Sequence, residues 1–129
     1  MVKQITSLEL KALEGKDGNY LIDVRTPEEW KNVGRPDGEA LGLVTYFVSY
    51  QFQDGEGRIF NPDFEKEMDA LNLDKSKKIF FICRSGVRSQ ATAEMYEKKG
   101  FETYNVSDGF FRSDTDYQSS WKADKLPIK

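Results

Sequence analysis

Short apolar runs alternate along this chain with segments in which polar and apolar residues are mixed as in helices. The apolar runs are rich in β-branched and aromatic residues and predict strands; they are "YLIDVR" (20–25), "LVTYFVSYQF" (43–52), "KKIFFI" (77–82) and "TYNV" (103–106). The clearest helical segment is "SQATAEMYEKKG" (89–100), in which Ala91 and Met95 are expected to face inward. Strands that alternate with helices predict an α/β fold with a mainly parallel sheet.

Capping residues predict three further helices. Ser7 is the expected N-cap of a helix over "LELKAL" (8–13). Thr26 is followed by proline and, three positions on, by Glu29, which is the pattern of a capping box and predicts a short helix over "EEWKN". Asn61 and the proline after it predict a similar start for a helix over "DFEKEMDAL".

Length and composition fit one folded domain over residues 1–129. No apolar stretch approaches the roughly 18 residues that a membrane-spanning helix needs, and the N-terminus lacks the apolar centre of a signal peptide. We therefore expect a cytoplasmic protein with no membrane partner. The net charge of -3, with lysine and arginine spread among the acids, argues against nucleic acid as a partner.

The chain contains no histidine and one cysteine, Cys83. Without imidazole, a Ser-His-Asp triad, a Cys-His pair and every zinc site that needs histidine are excluded. A single cysteine can form neither an internal disulfide nor, alone, a cysteine-based metal site. If Cys83 is reactive, it must be activated by backbone dipoles and by arginines.

The segment "ICRSGVRS" (82–89) combines Cys83 with an anion-binding pattern. It joins a predicted strand to a predicted helix, which is where ligands bind in open α/β sheets. Gly86 permits a tight turn, and the amide groups at the helix start form a concavity with partial positive charge. Arg84 and Arg88 would add formal charge at its rim. A thiolate in such a loop is stabilised over the thiol, which predicts a reactive cysteine rather than an inert core residue.

Together with "LIDVRTPEEW" (21–30), the loop "CRSGVRS" (83–89) resembles the rhodanese domain family, sulfurtransferases that carry a sulfur atom as a persulfide on the loop cysteine. The resemblance runs from about Ile5 to Pro127. It implies a rhodanese-like α/β fold, in which a central, mainly parallel sheet of about five strands is flanked by helices on both faces. It also implies a single-domain thiosulfate sulfurtransferase that needs no metal or organic cofactor.

By this resemblance Cys83 is the catalytic nucleophile. The backbone of the following residues would hold the persulfide: Arg84, Ser85, Gly86, Val87 and Arg88. The two arginines would attract a small anionic sulfur donor such as thiosulfate. Because the chain has no second cysteine, cyanide or an external thiol would discharge the sulfur, and a protein partner in a sulfur relay is also compatible with this scheme.

Two further groups of residues have competing interpretations. Asp23 and Arg25 end a buried strand, so their charges need partners; we expect an ion pair or hydrogen-bonding network that supports the Cys83 loop, with a place in the pocket wall as the alternative. Phe110, Phe111 and Arg112 follow the last predicted strand. They could shape access to Cys83, and an aromatic patch over the sheet edge explains them equally well.

The sequence leaves two other functions open. Cysteine-dependent phosphatases and the related arsenate reductases place five residues between cysteine and arginine, because a tetrahedral phosphate needs a wider loop. Here four residues separate Cys83 from Arg88, a shorter loop that suits a sulfur atom. A rhodanese-like binding or sensing module without activity would keep the same fold.

Overall fold

The computed structural model, which describes residues 1–13, 18–111 and 119–129, is built around a parallel sheet. Its strands are β1 (Lys3–Ile5), β2 (Tyr20–Asp23), β3 (Val44–Phe47), β4 (Gln51–Asp54), β5 (Gly57–Phe60), β6 (Lys78–Ile82) and β7 (Glu102–Val106). Its helices are α1 (Ser7–Ala12), α2 (Pro27–Val33), α3 (Phe64–Asp69) and α4 (Val87–Glu97), with a 3-10 helix at Gly38–Leu41. Five strands form the parallel sheet in the order β1-β7-β6-β2-β3, which confirms the predicted fold class.

Hydrophobic cores lie on both faces of the sheet, because side chains alternate in direction along each strand. From the central strand β6, Ile79 and Phe81 pack with α3 and α4 on one face. Phe80 and Ile82 pack with α1 and the C-terminal segment on the other, where Trp121 is fully buried. Since both faces are covered, β6 is apolar from Ile79 to Ile82 rather than alternating, as the sequence predicted.

The prediction of a single strand over residues 43–52 is wrong in its second half. The chain leaves the sheet after β3 and forms a separate antiparallel hairpin of β4 and β5. Between β3 and β4 the N–H of Tyr50 donates to the carbonyl oxygen of Val24 (3.1 Å), which holds this connection beside the end of β2. The two turn residues are Gly55 and Glu56, and a glycine at the first turn position is a known hairpin signal, so the sequence did contain this information.

Two helices begin with the same capping box. In α2 the hydroxyl oxygen of Thr26 accepts the N–H of Glu29 (3.2 Å) and the carboxylate of Glu29 accepts the N–H of Thr26 (3.1 Å), as predicted. In α1 the N-cap is Thr6, not Ser7. Ser7 is used differently, because its N–H and its hydroxyl both donate to the carboxylate of Asp108 (3.0 and 2.9 Å).

The start of α3 and the first strand also differ from expectation. α3 begins at Phe64, one residue later than predicted, and its N-cap is Asp63; Asn61 ties the turn before the helix to the preceding loop. Its amide donates to the carbonyl oxygen of Ser49 (2.9 Å), and its Oδ1 accepts the N–H of Asp63 (2.9 Å). The N-terminal strand β1, which the sequence did not predict, is held by parallel pairing with β7.

The helix after Cys83 exists as predicted, but its inward face is different. Ala91 and Met95 are only partly buried, although Met95 packs against the core as expected. The buried positions behind them follow helical spacing and include Ser89, Thr92, Ala93 and Tyr96. Because half of these four residues are polar, the sequence contains no apolar stripe that would identify the buried face of α4. None of the helices within the described residues has an apolar run long enough to cross a bilayer.

Candidate active site

The carboxyl ends of β2 and β6 lie side by side near the centre of the sheet, where Asp23 is in register with Ile82. The connections that leave these two strands run in opposite directions: β2 is followed by β3 on one side, and β6 is followed by β7 on the other. Such a reversal leaves a crevice between the outgoing loops, and ligands of open α/β sheets bind there. Cys83 follows β6 directly and therefore lies at this crevice.

Donors from the loop and from α4 surround the sulfur of Cys83. The Cys83 side chain is 1% exposed, and its Sγ accepts the N–H of Gly86 at 3.1 Å. Gly86 has a φ of +99° and is the N-cap of α4, so the tight turn predicted at this glycine is confirmed. The helix N-terminus thus directs an amide and partial positive charge at the sulfur.

Ser89 is a functional candidate that the sequence did not reveal. Its Oγ lies 3.2 Å from the Sγ of Cys83 and 2.5 Å from the Oδ1 of Asn105, whose amide donates to the Oε1 of Gln4 (2.9 Å). A hydroxyl has one proton, so Ser89 can donate either to Asn105 or to the sulfur. With a thiol, it donates to Asn105 and accepts the S–H; with a thiolate, it is placed to donate to the sulfur.

Arg88 does not stand at the rim of the loop, so that expectation is wrong. Its side chain is 8% exposed, and its Nη1 and Nη2 donate to the two carboxylate oxygens of Glu29 at 2.7 and 3.0 Å. The pair joins α2, which follows β2, to α4, which follows β6, across the crevice. Among the other loop residues Arg84, Ser85 and Val87 are exposed, so Arg84 is the arginine at the rim.

The pKa values of this pair follow from its surroundings. Burial alone would raise the pKa of Glu29, but hydrogen bonds and charge from Arg88, the N–H of Thr26 and the charge of Arg58 outweigh it and lower the pKa to about 2. Burial alone would lower the pKa of Arg88, but Glu29 raises it, with smaller contributions from Cys83 and Asp23. Both groups are therefore charged at neutral pH.

Replacing Glu29 with glutamine is expected to lower the free energy of unfolding at pH 7 by about 1–3 kcal/mol, because Arg88 loses its counter-charge while glutamine still completes the capping box. Since the folded-state pKa of Glu29 is depressed, its contribution is present above the unfolded value of about 4.3 and is lost as the pH falls through about 2. The difference between wild type and E29Q should therefore shrink between those pH values. Urea unfolding at a series of pH values measures it.

Glu9 provides the matched control for this substitution. It occupies the same capping-box position in α1, with Thr6 as its N-cap, but its side chain is exposed. E9Q keeps the cap and removes a charge that no arginine within the described residues neutralises, so it should change stability much less than E29Q. Equal effects of the two substitutions would mean that the Glu29–Arg88 pair contributes nothing beyond the cap.

Asp23 and Arg25 form a buried ion pair. The Nε and Nη2 of Arg25 donate to the carboxylate of Asp23 at 3.0 and 2.8 Å, and Nη2 also donates to the carbonyl oxygen of Gly34 (2.8 Å). The guanidinium lies 4.1 Å from the ring centroid of Phe110. The N–H of Phe110 in turn donates to the carbonyl oxygen of Cys83 (2.9 Å). Arg25 thus contacts the residue that is hydrogen-bonded to the Cys83 loop.

The segment after β7 packs directly against the Cys83 loop. Besides the bond from Phe110, the N–H of Phe111 donates to the carbonyl oxygen of Arg84 (3.3 Å). Gly109 lies so close to the loop that a Cβ there would meet the carbonyl group of Arg84, and its φ is +69°. Of the residues that could shape access to Cys83, Phe110 is buried and Phe111 is partly exposed. Arg112 lies outside the described residues.

Comparison with known proteins agrees with this geometry. A family model described as "Rhodanese-like domain" matches residues 6–113. The chain belongs to the rhodanese family. It is 38% identical over 117 residues to an uncharacterized protein of Rickettsia conorii, covering 89% of this chain and 86% of that protein. It is 33% identical over 109 residues to "Putative sulfurtransferase YtwF" of Bacillus subtilis, covering 84% and 86%.

A solved structure extends the agreement to the whole rhodanese fold. The crystal structure of Rv0390 from M. tuberculosis superposes with a TM-score of 0.78 at 31% identity, covering 99% of this chain and 97% of that one. The predicted family and fold are therefore both confirmed.

A cavity of about 260 Å³ opens beside the Cys83 loop of this rhodanese, and it is lined by Arg25, Glu29, Val33, Arg58, Arg84 and Phe111. Larger cavities of about 450 and 550 Å³ lie elsewhere, and no loop residue lines them. Arg58 reaches the site from the hairpin, which the sequence did not predict. No three cysteine, aspartate or glutamate side chains in the described ranges come together as a metal site would require.

Proposed function

We propose that this rhodanese is a sulfurtransferase that carries a sulfane sulfur on Cys83. The main support is the setting of the thiol, whose Sγ lies 3.1 Å from the N–H of Gly86 at the N-terminus of α4. Amide donors and the helix dipole favour negative charge at this point. Both the thiolate that attacks and the persulfide that it forms are anions, so the same loop can stabilise both.

The first half-reaction loads the cysteine. The thiolate of Cys83 attacks the outer sulfur of thiosulfate or a related donor, a new S–S bond forms, and the bond between the two donor sulfurs breaks. The electron pair leaves with sulfite, so Cys83–S⁻ and S–SO₃²⁻ become Cys83–S–S⁻ and SO₃²⁻. Arg84, at the exposed rim, supplies positive charge where an anionic donor approaches.

The second half-reaction transfers the sulfur to an acceptor. Cyanide or a thiolate attacks the terminal sulfur, and Cys83 leaves as the thiolate that began the cycle. The chain has no other cysteine, so the acceptor must be a separate small molecule or a partner protein in a sulfur relay. A phosphatase is disfavoured, because Arg88 is paired with Glu29 rather than placed over the loop.

Intact-mass spectrometry after incubation with thiosulfate tests this function. Wild type should gain the mass of one sulfur atom, and cyanide or a thiol should remove it. Cys83→Ser, which keeps the size and the hydrogen-bonding capacity of the side chain, should gain nothing. If neither thiosulfate nor polysulfide adds sulfur to wild type, the sulfurtransferase proposal fails and the domain is better explained as a binding module.

A further inference from the structure

Arg58 brings a positive charge to the cavity from outside the sheet. It lies on β5, where it is in register with Gln53 of β4, and its side chain is 36% exposed. Its Nη2 is 3.6 Å from the Oε1 of Glu29. The hairpin therefore brings this guanidinium to the cavity that Arg84 of the Cys83 loop also lines.

The donors of Arg58 are not consumed by Glu29. The carboxylate oxygens of Glu29 already accept from Arg88 at 2.7 and 3.0 Å. The separation of 3.6 Å between Arg58 and Glu29 exceeds the usual N–H···O range of about 2.7–3.2 Å. No described residue accepts a hydrogen bond from the guanidinium of Arg58. An arginine has five N–H donors in a planar fork that matches a carboxylate.

The cavity suits an organic molecule rather than thiosulfate alone. Its volume of about 260 Å³ is just below the range of about 300–1,000 Å³ found for drug-sized ligands, so it exceeds what a five-atom anion needs. Val33 and Phe111 provide apolar wall between the charged groups. Arg84, the residue after Cys83, is the member of the loop that lines the cavity.

We infer that this cavity binds a sulfur acceptor that is an organic thiol with a carboxylate group, and that Arg58 binds the carboxylate. This inference rests on the proposed sulfur-carrier function. In the step concerned, the acceptor thiolate R–S⁻ attacks the terminal sulfur of Cys83–S–S⁻. One S–S bond forms and one breaks, giving R–S–S⁻ and Cys83–S⁻ with the total charge unchanged. Arg58 sets which thiol reacts fastest by holding the far end of the acceptor.

The test separates loading from discharge. Cys83 is first loaded with thiosulfate and the adduct is quantified by intact mass, and the excess donor is removed. The rate of discharge is then measured with 3-mercaptopropionate, which carries a carboxylate, and with 2-mercaptoethanol, which is neutral at that end. Comparing Arg58→Ala with wild type for each thiol cancels the intrinsic reactivity of the thiol. We expect R58A to slow discharge by 3-mercaptopropionate about tenfold and by 2-mercaptoethanol less than twofold.

Two further variants control for charge and geometry. Arg58→Lys keeps the charge but not the fork and should recover part of the lost rate. Arg35→Ala removes the same charge from an exposed arginine that stacks near Trp30 and Phe47 and does not line the cavity, so neither rate should change. An equal slowing by R35A would show a general field effect and overturn the assignment.

The outcomes distinguish this inference from the proposed function. If wild type takes up no sulfur, the proposed function fails and the acceptor assignment with it. If R58A loads normally but slows both thiols equally, only the carboxylate assignment is overturned. If R58A impairs loading by thiosulfate and leaves discharge unchanged, Arg58 serves the donor, which also overturns it. Slower discharge by the carboxylate thiol alone supports it.

Discussion

Replacing Asp23 with asparagine is expected to lower the free energy of unfolding by about 3–5 kcal/mol, or Tm by about 10–20 °C. Asp23 and Arg25 are 0% and 1% exposed, so the pair is almost fully removed from water. Asparagine has nearly the same shape, but it leaves the guanidinium of Arg25 buried without a counter-charge. Its amide N–H₂ group would also face the N–H donors of Arg25. Thermal and urea unfolding measure the loss.

Two comparisons show whether the loss comes from an uncompensated buried charge. In the double variant D23N/R25M the guanidinium is gone, so it should be more stable than D23N alone. Glu102→Gln breaks the exposed ion pair with Lys3 and should hardly change Tm, because exposed pairs contribute little. If D23N were no worse than E102Q, Arg25 would not depend on Asp23 for its charge balance.

The parts of this fold that the sequence predicted are those encoded by neighbouring residues. The central strand β6 is apolar from Ile79 to Ile82 because both of its faces are covered, and such a run is visible in the sequence. The capping box at Thr26 needs only residues three positions apart. The loop after Cys83 could also be predicted from neighbouring residues, since the cysteine, Gly86 and the helix start lie within a few positions.

The parts that were missed depend on residues far apart in the chain. Glu29 and Arg88 are 59 positions apart, and nothing in either segment indicates that the loop arginine turns inward to pair with the helix cap. Ser89 and Asn105 are 16 positions apart, and each alone is an ordinary polar residue. Such contacts follow only from the strand order, because β2, β6 and β7 are adjacent in the sheet.

The use of Glu29 explains why local reasoning was correct but incomplete. Its carboxylate satisfies the N–H of Thr26 at the start of α2, which accounts fully for a glutamate at that position. The same carboxylate also neutralises Arg88 behind the Cys83 loop and lies 3.6 Å from Arg58 at the cavity. Because the capping role explains Glu29 fully, the sequence gives no reason to expect a second role at the site, and only the tertiary structure shows that role.

Replacing Gly109 with alanine is expected to damage both stability and the proposed chemistry. The φ of +69° costs a residue with a side chain about 1–2 kcal/mol. A Cβ at this position would also meet the carbonyl oxygen of Arg84 and lie 2.8 Å from the Cα of Ser85. Overpacking of this kind adds about 1–3 kcal/mol, so we expect a total loss of about 2–5 kcal/mol in urea unfolding. Because the loop must move, sulfur loading of Cys83 should slow by about 10–100-fold.

Replacing Gly55 with alanine is a control that separates the cost of the positive φ from the cost of the steric clash. Gly55 has a φ of +59° in the hairpin turn, and a Cβ there would meet nothing within 4 Å. G55A should therefore show only the conformational cost and load sulfur at the wild-type rate. If G109A and G55A were equally stable and equally active, the segment after β7 would not press on the Cys83 loop. A G109A protein that is folded but takes up sulfur slowly would show instead that the geometry of the Cys83 loop depends on Gly109. No residue of the loop itself is changed in this variant, so the effect must come from the neighbouring segment.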